Sequence, residues 1–326
     1  MLQDPFGLSR GTRRSVRNLF IRIGEGWGEG APIYYMNQTV DEMLSLAQEW
    51  CTPLPDPEQP VPELIRDLLQ RYPGQTALAQ AVDLALHDAW GKREGKPLHE
   101  LLGITWKAAP VSSFTIALDT LDVMLEKVER ARDYPILKVK TGGQNDPDML
   151  HAIHKRSGKP LYVDANEGWS AGQTLEYLPH LADCQVRMLE QPLPRDQREG
   201  YRQIQERNPT QIPIFIDEGV HGPDDILSWV GLVDGINIKL AKCGGLARAR
   251  QMIDLARAHS LQIMLGCMIE SSLGITAAAH LAPLVDFIDL DGAALLADDP
   301  FVGMWLERGR LIMPERAGIG AIPRQP

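Results

Sequence analysis

The sequence predicts an α/β fold in which a barrel of parallel strands follows a smaller α+β domain. From about residue 110 onward, eight short apolar runs alternate with amphipathic segments at roughly 21 to 28 residues per unit. Eight such strand–helix units are the number that closes a barrel. The first 107 residues lack this alternation. Polar residues gather where the apolar runs end, and this end of a barrel carries the functional sites.

Residues 1–107 have the pattern of an α+β domain. The runs RNLFIRI and GWGEGAPI, interrupted by glycines, predict an antiparallel hairpin. Helical patterns follow in VDEMLSLAQEW, in VPELIRDLLQRY and over residues 75–91, where apolar residues recur near the helical period. We place the barrel at 108–306 and expect the tail, from about 307 to 326, to return to the first domain.

The barrel strands are predicted from short apolar runs that end in polar residues. The last run is followed by DDPFVGMW and a short tail, so we expect the final helix to be missing or degenerate. The eight runs are 111–118, 136–142, 161–166, 186–192, 214–219, 235–240, 262–269 and 287–292.

Composition excludes several classes of function. The chain has 326 residues, 44% of them hydrophobic and 23% charged, which is ordinary for a globular protein. A formal charge of -10 without a basic stripe argues against a nucleic-acid partner. We expect no membrane segment, because no apolar stretch approaches the roughly 20 residues that span a bilayer. We expect no secretory signal, because MLQDPFGLSRGTRR at the N-terminus lacks the apolar region of a signal peptide. Four widely separated cysteines favour reduced thiols and a cytoplasmic location.

Three acidic residues each end an apolar run at nearly constant spacing. Asp164, Glu190 and Asp217 are 26 and 27 residues apart, in LYVDAN, VRMLEQP and IFIDEG. On neighbouring strands they would direct carboxylate oxygens at one point, and such hard donors suit Mg²⁺ or Mn²⁺. The alternative is that each acid caps a helix or pairs with a lysine.

Lysines flank the three acids in the chain. Lys138 and Lys140 lie two residues apart on the second predicted strand, and Lys239 ends the sixth, across the barrel. Ammonium groups crowded beside a divalent cation should have a depressed pKa, so that one of them could act as a general base. The alternative is a solvated ion-pair partner. Lys242 should fall in a loop and is a weaker acid/base candidate.

The motifs KVK, VDAN, LEQPL, IDE and INIKLAKCGG, in this order, resemble the muconate lactonizing subgroup of the enolase superfamily. The resemblance implies a modified TIM barrel, (β/α)7β, with an N-terminal α+β capping domain. It implies Mg²⁺ on the three acids and an enediolate intermediate formed from a carboxylate substrate. Lys140 and Lys239 match its acid/base lysines, and Lys138 would neutralise the intermediate. The supporting residues would be Asn166 and Glu218.

Within this subgroup, the pair Asp289 and Asp291 resembles the motif by which dipeptide epimerases hold the substrate's α-ammonium group. The implied reaction inverts the α-carbon of the C-terminal residue of a dipeptide by 1,1-proton transfer. The alternatives are a helix-capping or turn role for the pair, and a muconate cycloisomerase or o-succinylbenzoate synthase activity. A non-catalytic ligand-binding barrel is the alternative from another class.

Substrate selection is the least determined property. The resemblance places Thr115, Met268 and Ile269 in the substrate pocket, together with an N-terminal loop that contains Arg10. Arg10, Arg13 or Arg14 would meet an acidic side chain, as in L-Ala-D/L-Glu epimerases, or would be solvated. The sequence is compatible with a homo-oligomer and does not determine the oligomeric state.

Overall fold

The computed structural model describes residues 1–8, 11–52, 59–106, 109–143 and 145–325. In these ranges no helix is long and apolar enough to cross a membrane. All four cysteines are free thiols, two of them buried, as the sequence predicts.

The N-terminal region combines short antiparallel strands with helices. The predicted hairpin is confirmed, since Leu19 through Ile23 pairs antiparallel with Gly26 through Gly30. The strands are β1 (Phe6–Leu8), β2 (Gly11–Arg13), β3 (Leu19–Ile23) and β4 (Gly26–Gly30). The helices are α1 (Val40–Trp50), α2 (Val61–Arg71), α3 (Thr76–Glu94) and α4 (Leu98–Leu101).

Glycines in β4 allow this strand to lie directly on the buried helix α3. A Cβ atom at Gly26 would lie 2.0 Å from the carbonyl oxygen of Ala85, and one at Gly28 would lie 1.9 Å from that of Ala81. Only glycine fits such an approach of two backbones. The hairpin is thereby fixed against α3, and Glu29, the residue after Gly28, is held in a buried position.

Eight parallel strands of the described chain form one sheet in consecutive order. They are β5 (Phe114–Ile116), β6 (Leu137–Lys140), β7 (Leu161–Asp164), β8 (Val186–Glu190), β9 (Ile214–Ile216), β10 (Gly235–Lys239), β11 (Gln262–Gly266) and β12 (Phe287–Asp289). A parallel bridge between Ser112 and Ile288 joins the last strand to the first, so the sheet closes into a barrel. Each strand lies within its predicted run and is shorter than it, because residues at the ends of the runs belong to loops.

Helices connect the strands, and their presence confirms the predicted alternation. They are α5 (Leu121–Arg130), α6 (Asp146–Ser157), α7 (Ala171–Asp183), α8 (Arg198–Arg207), α9 (Pro223–Ile226), α10 (Leu240–Cys243), α11 (Leu246–Ala258) and α12 (Ser272–Ala279). No α-helix follows β12 in the described part of the chain, as expected for (β/α)7β.

The chain after the barrel forms short strands and returns to the N-terminal region. The strands are β13 (Phe301–Val302), β14 (Trp305–Glu307), β15 (Arg310–Ile312) and β16 (Ile322–Pro323). Gly318 exchanges backbone hydrogen bonds with Lys96 and Leu98, and the amide of Ile319 donates to Asp88 of α3. These contacts agree with the expected return of the tail. The domain limits remain a prediction, since residues 107 and 108 lie outside the described ranges.

We call the end of the barrel at which its parallel strands finish the rim. The interior of the barrel is apolar directly beneath this rim. Ile136, Tyr162, Met188, Phe215 and Met264 pack together as a plug. Because side chains alternate along a strand, the residue two positions after each plug residue also faces inward, one layer higher. Four of the five positions in that layer carry charged side chains, and the fifth is Gly266.

A buried histidine joins the barrel to the tail. His280 Nδ1 accepts a hydrogen bond from the backbone amide of His99 at 3.1 Å, and Nε2 lies 3.0 Å from the carbonyl oxygen of Ile319. This geometry requires the neutral ring with its proton on Nε2. Burial lowers the pKa of His280 to about 4.

We expect acid to destabilise the fold through His280. Its neutral form contributes full stability above the ordinary pKa of about 6.5, and this contribution is lost as the pH falls toward the folded-state pKa. Between pH 7 and pH 5 the loss should be about 2 kcal/mol. Urea unfolding at both pH values should show this excess in the wild type over His280→Gln. Equal pH dependence in the two proteins would contradict it.

Candidate active site

Three carboxylates lie at the rim on neighbouring strands. Asp164 ends β7 and Glu190 ends β8, and the two residues are direct partners in the register of the sheet. Asp217 follows β9, two residues after Phe215, which is the register partner of Glu190. All three are at most 2% exposed. The sequence therefore predicted their common location correctly.

Lys138 connects three strands of the rim. Its Nζ atom lies 2.7 Å from Glu190 Oε2, 2.9 Å from Asp289 Oδ2 and 3.3 Å from Asp164 Oδ2. The lysine is 1% exposed, so its charge depends on these carboxylates rather than on water.

Lys140 and Lys239 approach the carboxylates from opposite sides. Lys140 Nζ lies 2.5 Å from Asp164 Oδ2, and Lys239 Nζ lies 2.7 Å from Asp217 Oδ2. Their strands, β6 and β10, are separated in the sheet by the three strands that carry or precede the acids. Pairing with lysines is the alternative that the sequence left open. Among the described residues, no three His, Cys, Asp or Glu side chains are gathered closely enough to ligate one ion. A metal role for the acids stays a prediction.

The expectation of a depressed pKa at Lys138 and Lys140 applies to ammonium groups beside a bound divalent cation, and it stays a prediction. Burial alone would lower the pKa of Lys138, but Asp289, Glu190 and Asp164 raise it well above its ordinary value. Burial likewise acts to lower the pKa of Lys239, and Asp217 and Glu190 raise it. The carboxylates around Lys138 and Lys239 thus outweigh the effect of burial on the pKa of each lysine.

The acids themselves divide into two kinds. Burial and the neighbouring Asp164 raise the pKa of Glu190. Burial also acts to raise the pKa of Asp217, but Lys239 and Lys242 overcome this effect and lower it. Burial and Asp217 raise the pKa of Glu218 to about 8. Glu190 and Glu218 are thus both buried carboxyl groups that face a second carboxylate, and their pKa values are raised.

Asp289 and Asp291 lie on the other side of Lys138. Asp289 Oδ1 accepts a hydrogen bond from Ser113 Oγ at 2.7 Å, and Asp291 Oδ2 accepts one from the backbone amide of Thr115 at 2.6 Å. Burial and the neighbouring Asp289 raise the pKa of Asp291 to about 7. Both aspartates face a common cavity, so a simple helix-capping role does not account for them.

One cavity of about 460 Å³ brings the predicted residues together. The predicted members of its lining are Lys138, Lys140, Lys239, Asp217, Asp289, Asp291, Thr115, Met268, Ile269, Asn166 and Glu218. Asp164 and Glu190 lie beneath the lining, in contact with Lys138 and Lys140. The prediction for Arg10 falls outside the described residues. Arg13 lines the cavity, with its guanidinium carbon 3.8 Å from the ring centre of Tyr34.

Residues 1–103 match the family model of the mandelate racemase/muconate lactonizing enzyme N-terminal domain. Residues 123–325 match the model of the enolase C-terminal domain-like family. The chain belongs to the mandelate racemase/muconate lactonizing enzyme family of the enolase superfamily. The resemblance inferred from its motifs is thus confirmed.

Three members of this family illustrate the similarity. The L-Ala-D/L-Glu epimerase of Bacteroides thetaiotaomicron is 36% identical over 300 residues, which are 91% of this chain and 78% of that protein. The L-Ala-D/L-amino acid epimerase of Maribacter sp. is 35% identical over 329 residues, 99% of this chain and 97% of that protein. The crystal structure of the dipeptide epimerase of Cytophaga hutchinsonii, complexed with Mg and the dipeptide D-Ala-L-Val, is 25% identical, with a TM-score of 0.91. It matches over 99% of this chain and 93% of that one.

Two residues that support the rim were not among the predicted site residues. Gln191 Oε1 accepts hydrogen bonds from the amides of Asp217 and Glu218, both at 2.8 Å, and its Nε2 donates to Tyr201 and Leu193. It therefore ties the end of β8 to the loop after β9. In the sequence, the feature that could have indicated this role is the position of Gln191 between Glu190 and Pro192.

Lys242 is the second such residue, and its predicted loop position is wrong. It lies in α10 and is 1% exposed. Its Nζ donates to Asp217 Oδ1, to the carbonyl oxygen of Asp217 at 2.5 Å and to that of Asn237 at 2.9 Å. Lys242 is three residues, about one helical turn, after Lys239, and this spacing could have indicated that both side chains lie on the same side of the chain.

Replacing Lys242 should therefore destabilise the rim. Lys242→Met leaves three buried oxygens without their donor, and we expect a loss of about 3 kcal/mol in the free energy of unfolding. Urea unfolding measures the loss, with Lys155→Met at an exposed position of α6 as the matched control. If the two variants were equally stable, Lys242 would have no structural role in the rim.

Proposed function

We propose that this chain is a Mg²⁺-dependent dipeptide epimerase that inverts the α-carbon of the C-terminal residue by 1,1-proton transfer. One observation carries the proposal. A single cavity contains a lysine on each side of the rim carboxylates and an aspartate pair on the last strand. The lysines suit a carbon acid, and the aspartates suit a substrate that also carries an ammonium group. The epimerase names of the relatives support this assignment.

The chemistry of the three rim acids suits a hard divalent cation. Asp164, Glu190 and Asp217 offer only carboxylate oxygens from adjacent strand ends, and they now pair with lysine side chains instead of converging on a single point. We assign these three as the ligands of Mg²⁺, which Mn²⁺ could replace. The bound ion would polarise the substrate carboxylate and thereby acidify its α-carbon.

The three lysines would have two different roles, proton transfer and stabilisation of charge. Lys140 and Lys239 would take the α-proton from one face of the carbon and return a proton to the other. Lys138 would stay charged beside the substrate carboxylate and stabilise the developing enediolate, a role that suits its raised pKa. Each acid/base lysine must first release its carboxylate partner, so substrate binding and proton transfer are coupled through Asp164 and Asp217.

Asp289 and Asp291 would hold the α-ammonium group of the dipeptide. Their two carboxylates lie in a buried layer with one lysine between them and the proposed metal ligands, so a second cation is electrostatically favoured there. Asn166 and Glu218 would support the rim. The backbone amide of Asn166 donates a hydrogen bond to Asp164 Oδ1 at 3.0 Å. The aspartate pair disfavours a cycloisomerase or o-succinylbenzoate synthase, whose substrates are anionic.

Removal of either acid/base lysine should abolish epimerisation and leave complementary half-reactions. We expect Lys140→Ala and Lys239→Ala to lose at least about 1,000-fold in kcat. In D₂O each variant should still exchange the α-proton of one dipeptide stereoisomer without inversion, and the two variants should exchange opposite isomers. Mass spectrometry and NMR measure both events across a dipeptide library, with Lys155→Ala as the control. Exchange of the same isomer by both variants would exclude the two-base assignment.

Blocking the dipeptide's amino group should remove most of the activity. An N-acetyl dipeptide leaves Asp289 and Asp291 facing a neutral amide, and we expect kcat/KM to fall at least about 100-fold. The same comparison in Asp291→Asn should show a smaller ratio, because the variant has less charge to leave unpaired. Equal turnover of free and acetylated dipeptides by the wild type would argue for a different substrate class.

A further inference from the structure

The loop that follows β11, residues 267–271, forms one wall of the cavity. Cys267, Met268 and Ile269 line the cavity directly. In the sheet, Gly266 is the register partner of Lys239 on one side and of Asp289 on the other. A dipeptide that extends from the acid/base lysine to the aspartates must therefore pass over the end of β11. The 267–271 loop is in position to contact its side chains.

A carboxylate from the N-terminal region holds this loop. Glu29 of β4 is fully buried, and Ser271 donates to it from its amide at 2.9 and 3.1 Å and from its hydroxyl at 2.6 Å. The amide of Gly274 donates at 3.0 Å and Asn18 Nδ2 at 2.8 Å. Glu29 thus accepts hydrogen bonds from four donors, and all but Asn18 belong to the barrel.

These contacts place Glu29 at the N-terminus of α12. Ser271 is the N-cap residue of that helix, and Gly274 lies in its first turn. Unpaired amides at a helix N-terminus favour negative charge, so the N-terminal region supplies the anion that caps a barrel helix. The fit is close, since a Cβ at Gly274 would lie 3.0 Å from Glu29 Oε2 and 2.4 Å from Glu270 Oε2.

Two further contacts hold the loop at the residues that face the cavity. Asn18 Nδ2, besides contacting Glu29, donates to the carbonyl oxygen of Ile269 at 3.0 Å. Gln80 of α3 donates to Glu270 at 2.7 Å, and Glu270 in turn accepts from the amide of Met268 at 3.1 Å. The backbone on both sides of the apolar wall is therefore fixed from the N-terminal region.

We infer that Glu29 is a positioning residue for substrate selection, which fixes the 267–271 loop and so sets the width of the pocket for the dipeptide's side chains. The inference rests on the proposed epimerase function for its kinetic consequence. Its structural content, the clamp formed by Glu29, Asn18 and Gln80 on the loop, is independent of that function.

The substitution Glu29→Gln tests the inference with almost no change of shape. One carboxylate oxygen becomes an amide group that donates, and it then faces the donor groups of Ser271 or Gly274. The loop should loosen while the metal ligands and lysines keep their environment. A matched control is Asp88→Asn, which also neutralises a buried carboxylate but one that holds Trp27 and Ile319 instead of the loop. Glu25→Gln, exposed on the same hairpin, controls for the substitution itself.

Hydrogen exchange followed by mass spectrometry measures directly how firmly Glu29 holds the 267–271 loop. Peptides covering 267–274 should exchange at least about tenfold faster in Glu29→Gln than in the wild type, because the protecting acceptor of two amides is weakened. Asp88→Asn and Glu25→Gln should leave these peptides unchanged after correction for global stability. Unchanged protection of the loop in Glu29→Gln would overturn the inference.

Steady-state kinetics with dipeptides of increasing side-chain size measure the effect of the loosened loop on substrate selectivity. In Glu29→Gln we expect KM for the preferred dipeptide to rise several-fold and kcat to stay within about twofold. The ratio of kcat/KM between preferred and disfavoured dipeptides should fall about tenfold, because a loose wall discriminates poorly. A uniform loss of kcat with an unchanged ratio would show a structural role only and would refute the selection role.

The two proposals can fail separately. A wild-type protein that epimerises no dipeptide would refute the proposed function, and hydrogen exchange would still decide the clamp. A wild-type protein that epimerises dipeptides, with the same selectivity in Glu29→Gln, would retain the function and refute the selection role of Glu29.

Discussion

The site depends on mutual neutralisation of carboxylates and ammonium groups that the fold removes from water. A buried, unpaired charge costs more free energy than a domain of this size has in reserve, so each charge must find a partner inside the rim. Asp164 and Asp217 each contact two lysines, and Lys138 contacts three carboxylates. Removing any one charge of this network would leave its partner buried without a counter-charge, so the rim acts as a single electrostatic unit.

The apolar plug beneath the rim makes this unit effective. Tyr162, Met188 and Phe215 close the barrel below the carboxylates, so the charges interact through protein rather than through water. Because side chains alternate along each strand, the same register that packs the plug also fixes the position of Asp164 and Glu190. Packing in one layer therefore provides geometric precision in the next.

The N-terminal region is more than a cover over the barrel. Its buried carboxylates connect separate parts of the chain, since Asp88 accepts a hydrogen bond from Ile319 of the tail and Glu29 accepts several from the start of α12. Such connections are directional, and each replaces several weak contacts by charge-assisted hydrogen bonds. The pocket wall at Met268 and Ile269 consequently belongs to both regions, and substrate preference cannot be assigned to the barrel sequence alone.

Local sequence patterns were enough to predict the order of the elements, the parallel barrel and the location of the acids and lysines at its rim. These properties follow from local periodicity and from the rule that parallel strands end at the same edge, so neighbouring residues suffice to predict them. The partners of each charge were decided only by the tertiary structure. Lys138 contacts Asp289 across the closure of the barrel, and three carboxylates from distant parts of the sequence raise its pKa. Gln191 and Glu29 acquire their roles in the same way, because hydrogen bonds and pKa values sum over groups that are near in space and distant in sequence.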